Sequence, residues 1–130
     1  MIDVCCAIIV NDEQQVLVAQ RSAVMRLPLK MEFPGGKLEP GESPEAALVR
    51  EIQEELNLHI LPVEALPVHE HQYPDFAIRL MPFICKLQSG AIELREHAAV
   101  HWLEAPQLSG CDWAEADIPV VHDYLFTLTN

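Results

Sequence analysis

The stretch EFPGGKLEPGESPEAALVREIQEELNL, residues 32–58, places a glycine-rich turn directly before a helical pattern. Three carboxylates of that pattern lie three and four residues apart: Glu51, Glu54 and Glu55. On a helix that turns about 100° per residue, this spacing puts them on one face. The apolar residues Val49, Ile52 and Leu56 are expected on another face, packed on a core.

The acidic face predicts a metal site. Carboxylates so close together repel one another, and a cation bound between them removes that repulsion. Hard divalent cations prefer oxygen ligands, so we expect Mg²⁺ here, and Mn²⁺ would suit the same ligands. The alternative is an ordinary amphipathic helix with a solvated acidic face. That alternative does not explain why Gly36, Glu42 and Arg50 accompany the three glutamates.

Length and charge limit the classes of function that remain. The 130 residues suffice for one domain, which we take to span 1–130. The formal net charge of −12 repels a nucleic-acid polymer, and the sequence lacks the run of about 18 apolar residues that a membrane span needs. The first residues do not follow a signal-peptide pattern, so we expect a cytoplasmic protein.

The cysteines and histidines do not predict a zinc site. The four cysteines lack metal-binding spacing and are expected to be buried, reduced thiols. His69 and His71 alternate along one predicted strand. We expect them on a solvent-exposed strand face, because no third ligand has suitable spacing.

Apolar runs, turn residues and helix signals divide the chain into strands and helices. Strands are predicted at 2–10, 16–20, 31–33, 58–66, 68–73, 76–87 and 98–103. Helices are predicted at 44–56, after a Ser43 N-cap and Pro44, and at 118–128. Mixed strands with two principal helices indicate a layered α/β architecture.

A known signature overlaps the stretch quoted above. Gly36, Glu42, the run REIQEE at 50–55 and Leu58 follow the spacing of the Nudix box, and the chain is identified as a member of the Nudix hydrolases. Asn57 stands where the family has glycine, and asparagine tolerates the left-handed conformation of a helix C-cap. The resemblance implies an α/β/α sandwich with a mixed central sheet.

The resemblance also implies a set of metal ligands. They are the main-chain carbonyl of Gly35 and the carboxylates of Glu51, Glu54, Glu55 and Glu96. One carboxylate must take a proton from the attacking water, and Glu51 and Glu96 are the two candidates that the family offers. Glu96 lies in a loop that aligns loosely with the family, so a solvated surface glutamate is the alternative at that position.

Four residues are candidates for substrate binding: Arg21, Lys37, Phe76 and Asp117. Arg21 matches an arginine that contacts substrate phosphate in MutT-like members, and its planar guanidinium suits phosphate oxygens. The alternative for Arg21 is a surface arginine at a strand end. Lys37 is expected either to pair with a glutamate or to contact a phosphate. Phe76 is expected to line a base pocket or to join the core of the sheet.

Asp117 stands where a MutT-type enzyme has an asparagine that reads an oxidised guanine. An ionised carboxylate only accepts hydrogen bonds, so it favours a base edge with N–H donors, such as the cytosine amino group or the N1–H and N2 amino groups of guanine. A carboxyl group protonated by burial would keep a donor. The alternative is a structural role as the N-cap of the last helix, ahead of Pro119.

The resemblance implies hydrolysis of a nucleoside or deoxynucleoside triphosphate to the monophosphate and pyrophosphate, as in MutT-like enzymes and CTP pyrophosphohydrolases. We expect this reaction to remove damaged or surplus nucleotides, such as 8-oxo-dGTP or cytidine nucleotides, in support of DNA repair. Hydrolysis of dinucleoside polyphosphates or ADP-ribose is one alternative, and a non-catalytic nucleotide sensor is another. The chain is expected to act as a monomer or homodimer, without a nucleic-acid polymer or a membrane as partner.

Overall fold

Eight strands and two α-helices follow one another along residues 1–129, the part of the chain that the computed structural model describes. The strands are β1 (Ile2–Val10), β2 (Val16–Gln20), β3 (Met31–Glu32), β4 (Gly35–Lys37), β5 (Leu58–Ala65), β6 (His69–Tyr73), β7 (Phe76–Gly90) and β8 (Ala99–Leu103). The helices are α1 (Pro44–Leu56) and α2 (Ile118–Thr127), with 3₁₀ turns at Ala105–Gly110 and Glu115–Asp117. None of these helices is long and apolar enough to cross a membrane.

The strands form one mixed sheet with a parallel pair at its centre. β1 and β7 are that pair, in register from Ile2–Ile78 to Val10–Lys86. The other edge of β7 is shared, because its first residues pair antiparallel with β6 and its last residues with β5. Pairing with the start of β5 extends β7 to Gly90, beyond the predicted end at residue 87.

β1 and β2 separate after the turn that joins them. They pair at Val10–Val16, and further along the sheet β4 pairs with β1 while β3 pairs with β2. The Ala7 amide also donates to the Pro34 carbonyl at 2.8 Å. The segment from β3 to β4, predicted as a short strand followed by a turn, therefore enters the gap and continues the sheet near its middle.

One helix covers each face of the sheet, which confirms the α/β/α sandwich. α1 packs on one face among a cluster of fully buried residues that includes Cys5, Ala7, Ile9, Leu17 and Leu58. α2 and the 3₁₀ turns pack on the other face, with Ile8, Val18, Leu108, Val120 and Tyr124 among the buried residues. All four cysteines are free thiols, and Cys111 is the one that is only partly buried within the described residues.

The buried stripe of α1 differs from the predicted one in its first half. Leu48, Ile52 and Leu56, each four residues from the next, are fully buried, and Ala47 lies beside them. Val49 is 36% exposed, so its predicted place in the core is wrong. It lies about 100° around the helix from Leu48, which turns it toward solvent.

The two ends of α1 are fixed by the local signals that predicted them. The Ser43 hydroxyl accepts a hydrogen bond from the Ala46 amide at 3.1 Å, and Pro44 occupies the first turn. Asn57 adopts the left-handed conformation, with φ 58° and ψ 36°, and its amide donates to the Gln53 carbonyl. Asparagine therefore takes the place of the family's glycine at this C-cap.

Gly35 allows β4 to lie against β1. A Cβ atom at this position would overlap the main-chain oxygen of Cys5 and would come within 2.7 Å of the Cys6 Cα. Both obstacles belong to a buried central strand, so neither can move away cheaply.

We predict that Gly35→Ala lowers the free energy of unfolding by about 1–3 kcal/mol, because the added methyl forces β4 away from β1. Urea denaturation with circular dichroism measures this. Gly110→Ala is the matched control, since a Cβ at Gly110 meets no atom within 4 Å. Equal stability of the two variants would show that the close approach does not limit this pairing.

Candidate functional site

A cavity of about 460 Å³ opens where β1 and β2 separate. Residues from β1, β3, β4, α1, the β6–β7 hairpin and the C-terminal part of the chain surround it. Those with polar or aromatic side chains include Arg21, Arg26, Glu32, Phe33, Lys37, Glu55, Tyr73, Asp75, Phe76, His97 and Asp117. The cavity thus brings together residues that are far apart in the sequence.

The acidic face of α1 borders this cavity. Glu55 lines it, and burial followed by the neighbouring Glu51 charge raises the pKa of Glu55 to about 9. The Oε2 atom of Glu55 is buried without a hydrogen-bond partner among residues 1–129. A Cβ at Gly36 would collide with the Glu51 carboxyl group, so this glycine provides the room that the carboxyl group occupies.

Arg50 binds the outer members of the acidic cluster. Its guanidinium lies 2.8 Å from Glu42, 3.0 Å from Glu51 and 3.2 Å from Glu54. The hydrogen bonds from Arg50 lower the pKa of Glu42 to about 2. Arg50 therefore offsets part of the repulsion between these carboxylates and fixes the directions in which Glu51 and Glu54 point.

The donor set of this cluster fits a hard divalent cation. No three His, Cys, Asp or Glu side chains of residues 1–129 are arranged as a finished metal site. The Glu54 carboxylate is 59% exposed and is held by Arg50 at 3.2 Å, while the buried oxygen of Glu55 lacks any other partner among residues 1–129. A cation would satisfy that oxygen and would favour the ionised form of Glu55.

The two remaining predicted metal ligands lie at the border of this cluster. Gly35 lines the cavity, but the contact of β4 with β1, and not access for a ligand, is what requires a glycine there. Glu96 is exposed on the segment between β7 and β8. Its charge contributes to the raised pKa of Glu55, so it lies near the same cluster.

Arg21 lines the cavity as part of an ionic network. Its Nη1 lies 2.7 Å from Glu32 Oε1, and its Nε donates to the Arg26 carbonyl at 2.5 Å. His97 Nε2 lies 2.8 Å from the other oxygen of Glu32. The His97 side chain is only 2% exposed, and its Nδ1 is buried without a partner among the described residues.

Lys37 projects from β4 beside the cavity. The predicted pairing with a glutamate is not found among residues 1–129, where the salt bridges near α1 are made by Arg50. The Lys37 carbonyl accepts a hydrogen bond from Arg50 at 3.3 Å. The exposed ammonium group of Lys37 is therefore available to an anion in the cavity.

Phe76 belongs to an aromatic wall of the cavity. Its ring stacks on Tyr73 with centroids 4.9 Å apart, and the Arg26 guanidinium lies over it at 4.5 Å. Arg26 also forms a salt bridge with Asp75 in the turn between β6 and β7. Both alternatives for Phe76 describe it in part, since it packs on the core and lines the cavity.

Asp117 lies at the cavity with its side chain turned inward. Its Oδ2 accepts a hydrogen bond from the Phe33 amide at 2.8 Å, and no capping hydrogen bond to α2 is present. Asp117 therefore occupies the N-cap position of α2 ahead of Pro119, as the alternative had it, but its side chain does not cap the helix. Burial raises the pKa of Asp117 to about 8, which favours the protonated carboxyl group at neutral pH. Of the two forms considered from the sequence, burial thus favours the one that keeps a hydrogen-bond donor.

His69 and His71 are half-buried, and the predicted solvent-exposed face is wrong. His69 Nε2 lies 2.6 Å from Asp123, and His71 Nε2 lies 3.2 Å from Glu115. Both carboxylates belong to the C-terminal segment, which packs against this face of β6. The sequence pattern could not show this packing, because the paired residues are more than 40 positions apart.

Several cavity residues were not identified from the sequence: Arg26, Glu32, Asp75 and His97. Two of them could have been suspected from their neighbours in the sequence, because Glu32 begins the glycine-rich stretch and His97 follows Glu96. Arg26 lies in an irregular loop without any periodicity. Its role in the wall depends on contacts with residues 49 and 50 positions further along the chain.

Comparison with known proteins agrees with this geometry. A family model described as the NUDIX domain matches residues 1–124. The 8-oxo-dGTP diphosphatase of Escherichia coli strain K12 is 31% identical over 92% of this chain and 93% of its own. The CTP pyrophosphohydrolase of the same strain is 34% identical over 96% of this chain and 92% of its own.

A solved structure shares the fold. The solution structure of the E. coli ORF135 protein is 33% identical to this chain and has a TM-score of 0.85, covering 99% of this chain and 91% of that one. The family model, the two relatives and this structure each match nearly the full length of the chain. The glycine-rich β4 and the acidic face of α1 hold the residues of the Nudix box, and the chain belongs to the Nudix family.

Proposed function

We propose that this protein hydrolyses nucleoside or deoxynucleoside triphosphates to the monophosphate and pyrophosphate. The observation that carries the proposal is the buried, unpartnered oxygen of Glu55 beside Glu51, at a cavity that also holds cationic and aromatic side chains. Arg21 and Lys37 suit the phosphates, and Phe76 suits the base. The names of the two E. coli relatives support the same substrate class.

The reaction breaks the anhydride bond between the α and β phosphates of the substrate. A water oxygen bonds to one of these two phosphorus atoms, its proton passes to a carboxylate, and the bridging oxygen leaves with the other phosphorus, which gives the monophosphate and pyrophosphate. Glu51 and Glu96 are the candidates for this base, because both belong to the acidic cluster around Glu55. Arg50 would keep Glu51 correctly turned through their 3.0 Å contact.

Glu51, Glu54, Glu55, Glu96 and the Gly35 carbonyl are the proposed ligands of a divalent cation, with Mg²⁺ preferred and Mn²⁺ as a substitute. When bound, the cation would neutralise phosphate charge and increase the acidity of the attacking water. The proposed ligands are all hard oxygen donors, which supports these two ions over softer metals. Such neutralisation also lets a substrate anion approach a chain whose formal net charge is −12.

Asp117, which is held by the Phe33 amide, is the proposed reader of the base. The protonated carboxyl group accepts a hydrogen bond from the Phe33 amide and keeps one O–H to donate. Like the side-chain amide of an asparagine, it can therefore donate a hydrogen bond to the base. This removes the objection to 8-oxoguanine that an ionised Asp117 would raise. Both 8-oxo-dGTP and cytidine triphosphates therefore belong among the first substrates to test.

The cellular setting of the reaction is also proposed. Residues 1–130 would act as one Nudix unit, as a monomer or homodimer, on free nucleotides in the cytoplasm. Removal of damaged or surplus triphosphates before their incorporation would support DNA repair. The free cysteines, three of them buried, are compatible with a reducing compartment.

We predict pyrophosphate release from at least one of CTP, dCTP, 5-methyl-dCTP, dGTP and 8-oxo-dGTP in the presence of Mg²⁺. Glu54→Gln and Glu55→Gln should each lower kcat by at least about 100-fold, since each removes a ligand charge. Assays that measure pyrophosphate and orthophosphate separately test this. Glu45→Gln, an exposed change on the first turn of the same helix, should retain full activity.

Three results would contradict the proposal. Unchanged turnover in the folded Glu54→Gln and Glu55→Gln variants would remove these residues from catalysis. Selective cleavage of dinucleoside polyphosphates or ADP-ribose in the same assay would replace the substrate class. Nucleotide binding without any cleavage would favour a sensor.

We also predict that Gly36→Ala folds normally but loses activity. The added methyl collides with the Glu51 carboxyl group, and a side-chain end can turn away at little cost in stability. Glu51 would then leave its position. We expect kcat to fall by about 10–100-fold, which is the usual effect of removing a residue that orients a metal ligand. Thermal unfolding and kcat, measured together, separate this result from that of the destabilised Gly35→Ala variant.

The buried Asp117 predicts a pH dependence of stability. An unfolded aspartate releases its proton near pH 3.8, whereas folded Asp117 keeps it until about pH 8. The unfolding free energy of the wild type should therefore fall as pH rises through this window, by up to about 1.4 kcal/mol per pH unit from this group.

Asp117→Asn should make that slope shallower, because the amide does not titrate. Urea denaturation at pH 5, 6, 7 and 8 measures the slopes, with Asp12→Asn in an exposed turn as the matched control. A slope unaffected by Asp117→Asn would show that this carboxyl group is already ionised at pH 5.

A further inference from the structure

The segment between β7 and β8 carries Glu96 between two residues that are tied to other parts of the fold. Arg95 is the first of them. Its Nη1 donates to the main-chain carbonyls of Gln53 at 3.2 Å and Glu54 at 2.7 Å, and its Nη2 donates to Glu93 at 2.9 Å. The last carbonyls of a helix lack partners within the helix, and a cation there is also favoured by the helix dipole.

Further contacts hold the same segment against the end of α1. Asn57 Nδ2 donates to the Ala91 carbonyl at 3.2 Å, and the Glu93 amide donates to the Leu56 carbonyl at 3.0 Å. Together with Arg95, these contacts connect the segment to the turn of α1 that carries Glu54 and Glu55. A shift of the segment along the helix would break all of them.

His97 holds the other side of Glu96. Its buried ring places Nε2 2.8 Å from Glu32, which is itself paired with Arg21 at 2.7 Å. The next residue continues this attachment, since the Ala98 amide donates to the Gln20 carbonyl at 3.0 Å. The chain is thus fixed to the end of β2 immediately after Glu96.

Glu96 itself is exposed, and an exposed glutamate on a free loop would sample many positions. A carboxylate that must meet a cation or a water gains effectiveness when its backbone is already in place. We propose that Arg95 and His97 are positioning residues that hold Glu96 toward the acidic face of α1. This inference rests on the proposed function of that face.

A merely structural role for Arg95 makes a different prediction. As a cap of α1 it would stabilise the protein, and its loss would affect every variant equally. As a positioning residue it acts through Glu96, so its loss should matter only while the Glu96 carboxylate is present. A double-mutant cycle between the two residues separates these possibilities.

Arg95→Ala should lower kcat for the best triphosphate substrate about 10-fold or more and leave KM within about 2-fold. In the Glu96→Gln background the same substitution should change kcat by less than about 2-fold. Arg95→Lys should restore part of the loss, because it keeps one donor for the helix carbonyls. Arg79→Ala is the matched control, as Arg79 has a similar exposure of 45% and forms only surface salt bridges among the described residues.

His97 is tested in the same cycle. His97→Ala should lower kcat when Glu96 is present, and His97→Gln should retain more activity because the Gln amide can replace the donor to Glu32. His101→Gln, an exposed change on β8, should have no effect. Circular dichroism and urea denaturation identify any variant that fails to fold. If an alanine variant does not fold, Arg95→Lys or His97→Gln takes its place in the cycle.

A second readout does not depend on turnover. Mn²⁺ titration followed by electron paramagnetic resonance should show about 10-fold weaker binding in Arg95→Ala than in the wild type, and no such difference in the Glu96→Gln background. Equal effects of Arg95→Ala in both backgrounds, or none in either, would overturn the inference. A wild type that cleaves no triphosphate would instead refute the proposed function, and the Mn²⁺ comparison would still decide the positioning role.

Discussion

The candidate site depends on the pairing of β4 with β1. Only a residue without a side chain can stand at Gly35, because β4 lies against the main chain of Cys5 and Cys6. β3 and β4 continue the sheet where β1 and β2 separate, and residues of β1, β3 and β4 line the cavity. The pairing of β4 with β1 also turns Gly36 toward Glu51 of α1, so one backbone contact sets both the walls of the cavity and the position of its acidic group.

Charge is distributed unevenly around this cavity. Arg50 compensates the outer carboxylates, whereas burial raises the pKa of Glu55 to about 9 and leaves one of its oxygens unpartnered. Burial likewise raises the pKa of Asp117 to about 8, where a main-chain amide is its partner. Burial thus favours the protonated form of both carboxyl groups, and a cation bound beside Glu55 would reverse this preference for that group alone.

Local interactions explain which parts of the fold the sequence could predict. The caps of α1 at Ser43 and Asn57 involve neighbours within four residues, and both were predicted correctly. The continuation of the sheet through Gly35–Lys37 was missed, because three residues have little strand propensity until β1 offers its edge. Val49 shows a similar limit, since hydrophobicity alone cannot tell which of two adjacent apolar residues the sheet will cover.

By itself, the sequence determined the family and the acidic face of α1, because these follow from a short motif and from helical spacing, and the family resemblance in turn implied the α/β/α architecture. Only the tertiary structure decided the surroundings of the individual side chains. It placed Asp117 in a buried site that raises its pKa, joined Arg21 and His97 through Glu32, and tied the Glu96 segment to the end of α1. Burial and ion pairing between distant residues depend on how the whole chain packs, and no local pattern contains that information.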